Sequence, residues 1–478
     1  MITSLSSQVA AQAGQTLRGS VMTTQHFESI DPSTGALIAA HASLSPEELE
    51  RLLEQAHVQA QRSAGMPVEA RCEILQRVAD RLEAEREHLA ELMTLEMGKL
   101  TREALAEVDK CAWVCRYYAQ QAPDMLADQL IPTDARRSLV AKQPLGVILA
   151  VMPWNFPLWQ VFRAAAPAIA AGNVLLLKHA SNVIGCGNAI AAVFDSAGVP
   201  PGVFTHLPVP SGHIAGIIAD RRVQAVTLTG SDAAGRAVAS AAGQALKKSV
   251  LELGGSDAFV VLEDADLDLT VEKAVTSRFL NCGQSCIAAK RFIVLDAVAD
   301  AFSERLGERI RTLCLGDPRD PATDVGPMAR SDLREELQAQ VSEAVAHGAR
   351  VLAGGGPGPG PGFHYQPTLL TDVRPGMRAY AEELFGPVAA LYRVPDEAAA
   401  LRLANDVAFG LGGSVWTRDR ARGEAFARQL ACGCAFVNEL VKSDPRLPFG
   451  GIRESGYGRE LSVLGLHEFV NHKSIWVD

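Results

Sequence analysis

Val147-Ile148-Leu149-Ala150-Val151, followed after Met152 by Pro153-Trp154-Asn155-Phe156-Pro157, opens as a continuously apolar run and closes as a stiff turn. A short run with no polar alternation is expected of a strand covered on both faces, which is the environment of a parallel sheet. Residues 174–177, 225–228 and 258–262 repeat the pattern, and helical stretches such as 183–197 lie between them. Strand–helix alternation implies right-handed βαβ units and a doubly wound α/β fold. A second alternating block runs from about Ser256 into the 430s. Its tract 354–362 contains only Gly and Pro and is read as a loop within the block. Upstream, Ser45-Pro46-Glu47-Glu48 forms a capping box ahead of Leu49, Leu52, Leu53 and Ala56 at helical spacing. A longer helix is expected over 69–97, burying Ile74, Leu75, Val78, Leu82 and Leu89 and ended by Gly98.

At 478 residues the chain exceeds one ordinary core, so two or three domains are expected. A net charge of −10, with basic residues scattered, argues against nucleic acid or an anionic membrane as the main partner. No apolar stretch is long enough to span a bilayer. Nine cysteines, an odd number without a CxxC pair, fit a reducing cytoplasm better than a disulfide framework. Cys111 and Cys115, one helical turn apart, read as core residues, and Cys432-Gly433-Cys434 suits no zinc spacing. No metal site is expected. The Ser/Gln/Ala-rich residues 1–21 read as a disordered leader, with a weak transit-peptide reading beside it and Met22 as an alternative start.

Two segments carry chemistry. Asn281-Cys282-Gly283-Gln284-Ser285-Cys286 places a thiol among small residues that permit close approach of a substrate. Leu251-Glu252-Leu253-Gly254-Gly255 places a carboxylate before a Gly-Gly turn. A thiol and a carboxylate are the tools of covalent catalysis followed by hydrolysis. No GxGxxG is present, and Gly230-Ser231-Asp232-Ala233-Ala234-Gly235 is followed by Arg236-Ala237 rather than by the Lys-Ser/Thr of a Walker A loop.

These segments, with Pro153–Pro157 and Phe449-Gly450-Gly451-Ile452-Arg453-Glu454-Ser455-Gly456, resemble the aldehyde dehydrogenase superfamily from about residue 27 to the end. Within it the chain is most similar to succinate-semialdehyde dehydrogenases. The resemblance implies two doubly wound parallel-sheet domains and a β-flap. Residues 22–125 and 145–254 would bind the dinucleotide, 255–454 would form the catalytic domain, and 126–144 with 455–478 would form the oligomerisation flap of a homodimer or homotetramer. It makes Cys286 the nucleophile, Glu252 the base that activates water, and Asn155 an oxyanion donor. It places NAD or NADP against Trp154, Lys178, Ser181, Gly230, Ser231, Glu383 and Phe385. Retention of Glu252 argues against acyl transfer to coenzyme A, and retention of Cys286 and Asn155 argues against a non-catalytic binding or structural descendant.

Two departures bear on specificity. Where the family often has Lys-Pro-x-Glu, this chain has Lys178-His179-Ala180-Ser181. Without that carboxylate a 2′-phosphate is not repelled, so NADP should be tolerated. Arg163 stands where succinate-semialdehyde dehydrogenases grip the substrate's distal carboxylate, with Ser443 as its assistant, although a surface or interface arginine is the plainer reading. The usual second arginine is replaced by Leu280, and Arg278 is displaced from that place. Succinate semialdehyde is the expected substrate, with glutarate semialdehyde or an uncharged aliphatic aldehyde as alternatives.

Overall fold

The computed structural model describes residues 26–478; the leader expected over 1–21 lies outside them. All four apolar runs are strands: Val147–Met152, Val174–His179, Val223–Thr229 and Asp257–Val261. The first three belong to a six-stranded sheet ordered Gly456–Tyr457, Lys248–Glu252, Val223–Thr229, Val147–Met152, Val174–His179, Phe204–His206. The fourth belongs to a seven-stranded sheet ordered Arg350–Ala353, Thr368–Thr371, Val388–Val394, Ala289–Leu295, Asp257–Val261, Gly412–Trp416, Cys434–Val437.

Both sheets are parallel except at one edge, where Gly456–Tyr457 and Arg350–Ala353 run antiparallel to their neighbours. The second exception follows from residues 354–362, which form the loop expected of them. A Gly/Pro tract cannot make the crossover helix that a parallel return requires, so the chain turns straight back. The absence of alternation in Val147–Met152 also has a direct cause. Ile148 and Ala150 enter a core built with helices on one face, while Val147, Leu149 and Val151 enter a second core on the other.

Pro46–Ala64 is a helix with the full capping box at Ser45 and Glu48. The single helix expected over 69–97 is instead two, Val68–Ala84 and Arg86–Met97, broken at Glu85 (φ −105°, ψ 16°) and ended by left-handed Gly98 (φ 78°). Both segments pack on the long helix Thr101–Leu126 and on Ile184–Ser196. Cys111 and Cys115 are fully buried on Thr101–Leu126. Val470–Val477, Arg137–Pro144 and Gln129–Leu130 form a separate three-stranded antiparallel sheet. Leu130, Trp476 and Val477 are exposed on it. No helix among the described residues is long and apolar enough to cross a membrane.

Strand order fixes where a site can form. From Val147–Met152 the chain winds outward through Val174–His179 to Phe204–His206, then returns to Val223–Thr229 on the opposite side. The switch point lies between Val147–Met152 and Val223–Thr229, and ligands of open α/β sheets bind outside the carboxyl ends of the strands at such a point. Those ends lead, in sheet order, into Glu252, the Gly230-Ser231 turn, the Pro153–Pro157 turn and Lys178.

Candidate active site

The Pro153–Pro157 turn is held from three sides. Glu107 accepts the backbone N–H groups of Leu158 and Trp159, both at 2.9 Å, and so caps the helix Trp159–Ala170. Lys99, itself buried, pairs with Glu107 and lies 3.9 Å over the Phe156 ring. His179 Nε2 lies 2.8 Å from the Pro157 carbonyl, while its Nδ1 accepts the Ala180 N–H at 3.0 Å. That pairing makes Nε2 the protonated nitrogen. Burial lowers the His179 pKa to about 4, so the ring is neutral. Asn281 Nδ2 donates to the Asn155 carbonyl at 2.8 Å. Asn155 is thereby fixed with its side chain buried, its Nδ2 donating to the Gln284 carbonyl at 3.1 Å and its Oδ1 unpartnered.

Cys286 follows a tight turn in which Asn281, Cys282 and Gly283 are all left-handed (φ 57°, 55° and 69°). Two of the three are not glycine, so the conformation costs energy and needs support. Glu103 supplies it by accepting the Asn281 N–H at 3.0 Å. Cys282 is buried, and its thiol is pushed up by burial, which suits a filler. Beyond the turn, Lys290 donates to the carbonyls of Ser285 and Cys286 at 2.7 and 2.6 Å and pairs with Glu383 at 3.0 Å. Glu383 accepts the Gly255 N–H at 3.1 Å. A Cβ on Gly255 would come within 2.6 Å of the Cys286 carbonyl oxygen, so glycine is needed for the Glu252 and Cys286 segments to meet.

Cys286 is partly exposed and lines a cavity of about 860 Å3 together with Glu107, Lys110, Arg163, Ser443 and Phe449. Burial pushes its thiol up to about 12, opposed by Lys290 and Arg163. Glu252 does not line that cavity. Its carboxyl lies just behind the wall, 2.5 Å from where a Cβ on Gly450 would sit, and Phe449 is the wall residue before it. Gly450 has φ +151°, so both space and backbone exclude a side chain there. Both Glu252 oxygens are buried without a hydrogen-bond partner. Burial and then the neighbouring Glu460 carboxylate push the Glu252 pKa well above the ordinary range, against Arg163.

Arg163 lines the cavity but is not free. It is buried, forms a salt bridge with Glu460, donates to Thr229 Oγ1 at 3.2 Å and lies 4.6 Å over the Phe449 ring. The expectation that it waits for a substrate carboxylate meets a guanidinium already neutralised, because a buried cation requires an anion. Ser443 does lie in the cavity, buried, and accepts from Lys110 and Trp159. Arg278 is turned away, donating to the carbonyls of Ala289 and Gly283 among others.

The residues expected beside a dinucleotide fall into connected places. Trp154 and Phe385 meet edge to face, with ring centroids 5.8 Å apart. Ser231 caps the helix Asp232–Gln244, accepting from Ala234 N at 3.3 Å, whereas the Gly230 N–H is already donated to the Glu252 carbonyl. Lys178 and Ser181 line a cavity of about 600 Å3 with Asn182, Pro210 and Ser211. Both polar side-chain atoms of Asn182 are buried and unpartnered there. Orphaned polar groups in a roomy polar wall, beside an ammonium, fit a phosphorylated ribose. Glu383 is directed to Lys290 and the Gly255 N–H, and is mostly buried.

A family model described as the aldehyde dehydrogenase family matches residues 20–475. The chain belongs to this family. A probable NADP(+) succinate-semialdehyde dehydrogenase of Synechocystis is 50% identical over 94% of this chain and 99% of its own length. An NAD(P)+ succinate semialdehyde dehydrogenase of Escherichia coli is 46% identical over 95% of this chain and 98% of its own. Among solved structures, the succinic semialdehyde dehydrogenase of Streptococcus pyogenes in complex with NADP+ superposes with a TM-score of 0.93 at 39% identity, covering 94% of this chain and 99% of that one.

Several residues of the site were not singled out from sequence. Glu107 and Lys110 lie on the helix Thr101–Leu126, His179 and Lys290 on strands, and Lys99 in the turn before that helix, and nothing in their local sequence sets them apart from other polar residues. The Glu107 cap generates a prediction. Glu107→Ala orphans two N–H groups and leaves Lys99 buried without its partner, so denaturant unfolding should show a loss of about 3–5 kcal/mol. Glu107→Gln, which retains an acceptor oxygen, should lose less.

Proposed function

We propose that this chain oxidises an aldehyde to a carboxylic acid with NAD(P) through a covalent intermediate on Cys286, and that its substrate is succinate semialdehyde. The observation that carries the reading is the packing of Gly255 on the Cys286 carbonyl, which brings the segment bearing Glu252 against the segment bearing the only partly exposed thiol of the main cavity. The names of the 50% and 46% identical relatives support the substrate.

Cys286 gives up its thiol proton to cavity water and adds through Sγ to the aldehyde carbon, giving a thiohemiacetal oxyanion stabilised by Asn155 and a backbone N–H. When bound, the dinucleotide supplies the hydride acceptor that turns this adduct into a thioester. Lys178, Ser181 and Asn182 would hold its adenosine side, and Trp154, Phe385 and Glu383 its nicotinamide side. Glu252 then takes a proton from water, which attacks the thioester and releases the acid with Cys286 restored. Arg163 sets the field, since its charge favours ionisation of both Cys286 and Glu252. The exposed edge at Leu130, Trp476 and Val477 is read as a homo-oligomer contact.

Glu252 works as a base only after losing its proton, and its pKa is raised. Turnover should therefore climb with pH through that raised value, which a kcat–pH profile measures. Cys286→Ala should form no reduced cofactor even in a single turnover. Glu252→Gln should give a burst of reduced cofactor and then a steady rate lower by at least about a hundredfold; full steady turnover in either variant refutes the roles. Ser181→Glu restores a carboxylate beside the ribose. It should lower kcat/KM for NADP relative to NAD by about tenfold or more, measured by cofactor titration at fixed aldehyde.

A further inference from the structure

Two buried asparagines, Asn155 and Asn281, are bonded to the segment that carries Cys286, and residue type alone does not divide their roles. An amide nitrogen carries two protons, and the two side chains use them differently. Asn281 Nδ2 faces two carbonyl oxygens, donating to Asn155 at 2.8 Å and to Gln284 at 3.1 Å, so both of its protons are engaged. Asn155 Nδ2 donates to the same Gln284 oxygen at 3.1 Å, and its second proton has no partner among the described residues. An amide oxygen could not face these carbonyls without repulsion, which fixes the orientation of both groups.

The backbone of Asn281 is equally committed. Its N–H goes to Glu103, on the first turn of the helix Thr101–Leu126. Its carbonyl accepts the Gln284 N–H at 3.0 Å and Gln284 Nε2 at 3.2 Å, while Gln284 Oε1 accepts the Ala329 N–H at 2.9 Å. Its left-handed conformation (φ 57°, ψ 35°) is one that asparagine adopts more readily than other residues with a side chain. One residue thus ties a helix of the cavity wall to the turn that carries Asn155 and to the segment that carries Cys286. The thiol has a second anchor of its own, because Lys290 holds the Ser285 and Cys286 carbonyls.

We propose that Asn281 is the positioning residue of the oxyanion site. It commits its own amide to the Asn155 and Gln284 carbonyls, and so aims the remaining Asn155 N–H at the oxygen of an aldehyde bound to Cys286. The proposal rests on the roles given above to Cys286 and Asn155. It requires Asn281 to act through Asn155 and not through the thiol.

The test is a double-mutant cycle read by single-turnover formation of reduced cofactor. Asn281→Gly suits the left-handed backbone and removes both side-chain donors; it should slow the single turnover by about thirtyfold, as a misplaced donor does. Asn281→Asp keeps the shape but turns a carboxyl toward two carbonyls, and should be slowed by about as much; it decides the cycle if Asn281→Gly does not fold. Asn155→Ala should slow the single turnover by about a hundredfold. Adding either Asn281 change to Asn155→Ala should cost less than about threefold more, because the group being positioned is gone. Iodoacetamide labelling at Cys286, followed by peptide mass spectrometry, needs the thiol but no oxyanion donor, and should stay within about threefold of the unaltered enzyme throughout. A single turnover within about threefold of the unaltered enzyme in both Asn281 variants overturns the proposal, as do effects that multiply in the double variants or labelling that falls in parallel with turnover. If Asn155→Ala alone leaves the single turnover unchanged, the reading of Asn155 itself fails, and this proposal with it.

Discussion

A single buried ammonium joins the two halves of this molecule's site. Lys290 stands at the start of the strand Ala289–Leu295, 1% exposed, and its three donors go to the carbonyls of Ser285 and Cys286 and to Glu383. Glu383 passes the restraint to the Gly255 N–H, in the segment that leaves the six-stranded sheet after Glu252. The segments bearing the thiol and the carboxylate are thus locked together where the two sheets meet. Charge-assisted bonds are suited to this task, because they are short and directional and few alternatives exist once water is excluded.

The electrostatics behind the cavity wall follow from having two buried carboxyls and one cation. Glu252 and Glu460 are both raised by burial, and Arg163 lowers both. Glu460 forms the salt bridge, which leaves Glu252 as the carboxyl without partners. A general base should have such an environment: desolvated, unhindered by hydrogen bonds, and biased by a nearby charge. The salt bridge between Arg163 and Glu460 therefore gives the two glutamates different surroundings.

The turn that carries Asn155 shows how neighbouring elements can supply precision that a loop lacks. Its two prolines restrict the backbone, but its direction is set by Glu107, His179 and Asn281, which come from three distant parts of the chain. His179 contributes a neutral donor that reaches across to the Pro157 carbonyl.

The strands, the capped helix at Ser45, the Gly/Pro loop and the thiol and carboxylate segments were all legible because each is a local pattern. Periodicity marks what is buried, and turn residues mark where an element must end. The break at Glu85, the antiparallel edge strands and the partners of Arg163 were not legible, since they depend on what packs alongside. By itself, the order of residues determined which side chains were available for chemistry and on which strand ends they would fall. Only the tertiary structure decided which charges cancel one another, pairing Arg163 with Glu460 and Lys290 with Glu383, because ion pairing depends on distance through space and residues far apart in the chain become neighbours only on folding.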